Sequence, residues 1–100
     1  MAEKGVMKND VQPDKMAAFD VEGNRVAVAN VGGTFYGFDD TCTHRQCSLV
    51  EGTLEGTTVT CPCHGSQFDV RTGAVLSPPA VQPVRSYKVR VEGDTLKIEA

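Results

Sequence analysis

An all-β fold, an antiparallel sandwich or barrel, follows from three observations. Short stretches alternate apolar with polar residues, glycine-bearing pairs punctuate them, and no long segment keeps a 3.6-residue apolar period. Met16-Ala-Ala-Phe19 with Val21 reads as a weak strand, although Asp14 to Ala18 could instead open a helical turn. Arg25-Val-Ala-Val-Ala-Asn30 alternates, and Thr34-Phe-Tyr-Gly-Phe38 is aromatic and strand-like. Gly32-Gly33 between them has the composition of a two-residue hairpin turn, because such turns need positive φ. Thr57-Thr-Val-Thr60 is a further strand and leads directly into a Cys-Pro-Cys-His run. Ser86 to Val91 and Thr95 to Glu99 alternate around Gly93-Asp94, a second hairpin. No internal repeat, low-complexity tract or linker interrupts the chain, so residues 1–100 read as one domain.

Composition narrows the function classes. With 40% hydrophobic and 23% charged residues the chain is globular rather than disordered, with a modest core for its 100 residues. No apolar run approaches the roughly 20 residues that span a bilayer. Met1 to Asp10 carries acidic residues and no apolar signal-peptide core, so a cytoplasmic protein is expected. A net charge of −3 gives no basic footprint for nucleic acid. It is compatible with docking to a basic face on a protein partner.

The chemistry lies in Cys42-Thr-His44 and Cys61-Pro-Cys63-His64, sixteen residues apart. Each run supplies a thiolate and an imidazole at a spacing that one tight loop can present to a metal. Three centres are open to such a set. A [2Fe–2S] cluster can be held asymmetrically, with thiolates on one iron and imidazoles on the other. Zn²⁺ also takes Cys₂His₂ ligation, but finger spacing places the two Cys together and the two His together. Plain disulfides would leave the pairing of each His with a Cys unexplained.

The longer strings CTHRQC (42–47) and CPCHGS (61–66) closely resemble the two cluster-binding loops of Rieske iron–sulfur proteins. The resemblance implies a Rieske-type antiparallel β-sandwich base with an inserted cluster-binding subdomain, here about residues 41–80. It implies one [2Fe–2S] cluster, with Cys42 and Cys61 on the buried iron and His44 and His64 on the outer one. Neutral imidazole in place of thiolate makes reduction easier than in all-cysteine clusters. Cys47 and Cys63 fall where some members carry a disulfide between the loops. After Gly65, Ser66 matches a serine whose hydroxyl donates to a bridging sulfide. Phe68 departs from the tyrosine of high-potential members, keeping the packing and losing a hydrogen-bond donor. Ser77-Pro78-Pro79-Ala80 resembles the proline loop that covers the cluster, stiff because proline fixes φ. Arg45 and Gln46, between the ligands of the first loop, are candidates for partner docking.

The function this implies is that of a soluble one-electron carrier, a monomer when free and not itself an enzyme. Its expected donor is a flavin- or NAD(P)H-linked reductase, and its expected acceptor the oxygenase of a ring-hydroxylating system. An alternative makes it the small redox subunit of a larger oxidoreductase. The Cys47–Cys63 pair and Ser66 lean that way, because carriers that feed dioxygenases commonly lack the disulfide. A structural zinc-binding interaction module is the third class.

Overall fold

The computed structural model describes residues 3–43, 47–63, 65–78 and 80–99. Ten strands form two antiparallel sheets, and no α-helix occurs among the described residues. The strands are β1 (Glu3–Met7), β2 (Met16–Val21), β3 (Asn24–Val31), β4 (Thr34–Asp39) and β5 (Thr53–Glu55). They continue with β6 (Thr58–Thr60), β7 (Gln67–Asp69), β8 (Val75–Ser77), β9 (Ser86–Glu92) and β10 (Thr95–Glu99). Six of them make a large sheet in the order β1-β10-β9-β4-β3-β2, and four make a small one in the order β5-β6-β7-β8.

The hairpins lie where the glycine pairs predict them. Gly32 and Gly33 adopt φ of 59° and 94°, and Val31 faces Thr34 across the turn. β2 pairs with β3 over its whole length, from Met16↔Ala29 to Val21↔Asn24, so the ladder, not a helical turn, claims Met16 to Ala18. β1, β5, β7 and β8 are additional to the strands expected from sequence. Three of these are only three residues long, too short for alternation to register.

β3 is buried on both faces, and its alternation divides the molecule into two cores. Val26 and Val28 point to one, with Val21, Phe35, Leu96 and Ile98. Ala27 and Ala29 point to the other, with Phe38, Leu49, Val59, Phe68 and Val70. The methyl side chains on that second face leave room for Phe38 of the adjacent β4 and Phe68 of the small sheet. Residues 40–85 leave the large sheet at β4 and return at its neighbour β9, where Gly37 faces Tyr87 and Phe38 faces Ser86. The exit is fastened by Asp39 N–H donating to the Arg85 carbonyl at 2.8 Å and Tyr87 Oη donating to Asp39 Oδ1 at 2.6 Å. Burial, then the bond to Asp39, pushes the Tyr87 phenol up to about 12.

Candidate metal centre

Both cysteine loops close on themselves. In the first, Cys42 N–H donates to the Cys47 carbonyl at 2.9 Å, and Thr41 bridges Ser48 just outside. In the second, CPCHGS is the connection between β6 and β7: Thr60 faces Gln67, and Cys61 N–H donates to the Ser66 carbonyl at 2.7 Å. Gly65 N–H turns back to the Cys61 carbonyl at 3.2 Å with φ of 80°, a conformation that glycine adopts without penalty. Cys47 and Cys63 are joined in a disulfide with Cα atoms 6.5 Å apart, which ties one loop to the other.

The remaining cysteines, Cys42 and Cys61, each 2% exposed, are buried in the same core as Phe38, Phe68 and Leu49. The Cys61 sulfur lies within 4.8 Å of both disulfide sulfurs, yet of those three only Cys61 has a thiolate to offer a metal. Two buried cysteines at the base of two cross-linked loops suit a pair of thiolate ligands. His44 and His64, Arg45 and Gln46 of the first loop, and Pro79 lie outside the described residues.

Ser66 supplies the test of whether the surroundings fit a cluster. Its side chain is fully buried, and its Oγ accepts from Ala80 N–H at 3.0 Å. The hydroxyl proton is then left to donate. A buried hydroxyl keeps its place when its proton finds an acceptor, and a sulfide of a bound cluster would be one. The residues present fit the group. The same Ser66 contact draws in the loop that holds Pro78, and Thr43 Oγ1 donates to the Gln82 carbonyl at 2.6 Å, so residues 80–82 are stitched to both cysteine loops. Phe68 is fully buried on β7, facing Val59 and Val75 across the sheet.

Sequence reasoning missed Asp40. It is 1% exposed and its carboxylate accepts from Arg25 Nε at 2.6 Å, Ser48 Oγ at 2.6 Å and Val50 N–H at 2.9 Å. Its carbonyl takes Leu49 N–H at 2.6 Å. One buried carboxylate thus holds both ends of the first loop, two residues from Cys42, with Arg25 supplying the balancing charge. The only trace in the sequence is a carboxylate directly after an apolar strand and before Thr41-Cys42. Gln67 also escaped notice; its amide links Thr60 on β6 to Ser77 on β8. Beyond β7, the Arg71 guanidinium bonded to Asp69 holds that carboxyl below its ordinary range.

Known proteins agree with this architecture. The ferredoxin component of biphenyl 2,3-dioxygenase from Rhodococcus jostii (strain RHA1) is 39% identical over 90 residues, covering 90% of this chain and 84% of its own length. The ferredoxin of carbazole 1,9a-dioxygenase from Nocardioides aromaticivorans IC177 superposes with a TM-score of 0.91 at 34% identity, over 94% of this chain and 92% of that one. A second solved structure, a complex of reduced oxygenase and oxidized ferredoxin in carbazole 1,9a-dioxygenase, matches with a TM-score of 0.91 at 36% identity, over 97% and 92% of the two chains. The model of the Rieske [2Fe-2S] domain matches residues 4–88. With buried cysteines, cross-linked loops and near-complete coverage all in agreement, this chain belongs to the Rieske [2Fe-2S] domain family.

Proposed function

We propose that this chain is the ferredoxin component of a multicomponent ring-hydroxylating oxygenase, receiving single electrons from an NAD(P)H- or flavin-linked reductase and passing them to the oxygenase. The observation that carries the reading is the pair of buried cysteines, Cys42 and Cys61, set in two loops that the Cys47–Cys63 disulfide holds together. Relatives named as ferredoxin components of dioxygenases support it over most of the chain. Cys42 and Cys61 hold the cluster as thiolates, with His44 and His64 as the imidazole ligands. When bound, the group takes up and releases one electron at a potential above that of all-thiolate clusters.

The protein's own residues fix the conditions of that exchange. Cys42 and Cys61 keep their sulfurs in an apolar core, where water does not compete for the ligand bonds. Ala80 N–H fixes the Ser66 oxygen, which leaves the hydroxyl proton to donate to the group when it is bound. Phe68 fills its position without a second donor. Residues 41–80 act as the cluster-binding part, and the large sheet carries it. The chain transports electrons and leaves the oxidation of substrate to its partner.

The disulfide favours a second reading, a redox subunit held permanently in a larger oxidoreductase. Gel filtration of native extract separates the two: a free carrier elutes near the 10.7 kDa of the chain, a bound subunit with its complex. Metal analysis tests the centre itself. The holo-protein is expected to contain two irons and two acid-labile sulfides per chain, as a [2Fe–2S] centre requires. A single zinc and no labile sulfide would overturn the proposal.

A further inference from the structure

Arg25 and Asp40 form an ion pair unlike the others in the described residues. Arg25 Nε donates to the Asp40 carboxylate at 2.6 Å, and the Arg25 carbonyl accepts Asp40 N–H at 3.1 Å, so β3 grips this residue twice. The Asp40 side chain is 1% exposed, whereas the carboxylates of the other described ion pairs are 13% to 50% exposed. Ser48 Oγ and Val50 N–H bring dipoles to it, and Arg25 is the one cation paired with it among the described residues. Asp40 stands two residues before Cys42, and both are buried. A charge held away from water is poorly screened, and an anion near the centre opposes the arrival of an electron.

We infer that Arg25, which lies on the large sheet outside the cluster-binding part, raises the reduction potential of the centre by neutralising the buried charge of Asp40. Arg25 acts through Asp40 and is a positioning residue. Its guanidinium is 61% exposed, so the neutralising half of the pair sits at the surface while the neutralised half is buried. Removal of Arg25 leaves an unpaired carboxylate in the interior, and that charge disfavours the reduced state most. The inference rests on the electron-carrier reading, in which Cys42 is a ligand.

Voltammetry of the holo-protein at neutral pH tests it, in about 0.5 M salt so that exposed charges are screened beyond a few ångströms. Arg25→Gln is expected to shift the reduction equilibrium toward the oxidised form by about threefold or more, or about 30 mV downward at about 59 mV per tenfold. Arg25→Lys keeps the charge and should stay within about 1.5-fold of wild type, about 10 mV. Arg90→Gln should stay in the same window, because it removes an equal charge from a guanidinium paired with the more exposed Glu3, Glu92 and Glu99. Asp40→Asn added to Arg25→Gln keeps the side chain's shape, removes the unpaired charge and should return the potential to near the wild-type value. Equal shifts from Arg25→Gln and Arg90→Gln, or no recovery in the double variant, would overturn the inference. Should Arg25→Gln fail to assemble the centre, assembly in the double variant would support the inference, and failure in both would overturn it. A wild-type protein that carries no cluster, or shows no reversible one-electron couple, would instead overturn the electron-carrier reading.

Discussion

The two cores that share β3 are held together by different means. On one side, Val26 and Val28 pack with Val21, Phe35, Leu96 and Ile98, an apolar core built almost wholly from alternating strands. On the other, Ala27 and Ala29 face Cys42, Cys61, Phe38 and Phe68, and of the four buried polar or charged residues among the described residues, Asp40, Ser66 and Asp69 belong to the cysteine-bearing segment. The first core is stabilised by apolar area removed from water, which tolerates rearrangement. The second depends on a disulfide and on buried hydrogen bonds, whose geometry is specific and whose loss leaves unsatisfied groups. The metal end is therefore the part whose details matter for function, and the large sheet is its support.

Substitutions can separate these two regimes. The largest effect is expected from Cys42→Ala or Cys61→Ala: each should abolish cluster assembly, measured as loss of visible absorbance and labile sulfide, and His44→Ala and His64→Ala should do likewise. Next come matched changes in the two cores. Leu96→Ala should cost about 2–5 kcal/mol in thermal or denaturant unfolding, with the spectrum of the centre retained. Asp40→Ala removes three charge-assisted bonds and should cost about 3 kcal/mol or more, but it should also perturb the EPR line shape, because Ser48 and Val50 lose their common anchor. Equal effects of both variants on the spectrum would show that the two cores are not separable. Cys63→Ser should cost roughly 3 kcal/mol, from the loop closed by a sequence separation of 16, and leave a less stable cluster in place.

Smaller effects concern tuning. Phe68→Tyr restores a donor and should raise the midpoint potential, whereas Ser66→Ala removes one and should lower it. A bond strengthened on reduction by part of its roughly 1.5–3 kcal/mol corresponds to tens of millivolts, given about 59 mV per tenfold for one electron. Voltammetry at neutral pH reads both. Smallest is a pH dependence. Folding raises the Tyr87 pKa from 10.0 to about 12, so its contribution to stability is complete below pH 10 and declines as pH rises from there toward 12. Tyr87→Phe should flatten that part of the stability curve. Asp69 has the opposite sign: its carboxyl is lowered by Arg71, so its contribution is present above the ordinary carboxylate pKa and is lost as pH falls through the folded value.

The same contrast explains what the sequence makes legible. β3, β4, β9 and β10 and their glycine turns are visible because alternation and turn chemistry are local signals. The cysteine loops are visible because their ligand spacing is unusual. Asp40 is not, since its partners Arg25, Ser48 and Val50 are brought to it only by the fold. The tether from Thr43 to Gln82 spans 39 residues and leaves no local trace. β1 pairs with β10 at the opposite end of the chain, so its short Glu3–Met7 run carries little pattern of its own.

The central claim is an electron-carrying centre held by two cysteines and two histidines. Pulsed EPR of the dithionite-reduced protein, with ¹⁵N-histidine incorporated, tests it most directly. Two strongly coupled histidine nitrogens are predicted, with a mean g value below that of all-cysteine clusters, and one coupling should disappear with each of His44 and His64 when that residue is replaced by Cys. A reduced spectrum without histidine nitrogen coupling, or a colourless protein holding one zinc, would contradict it.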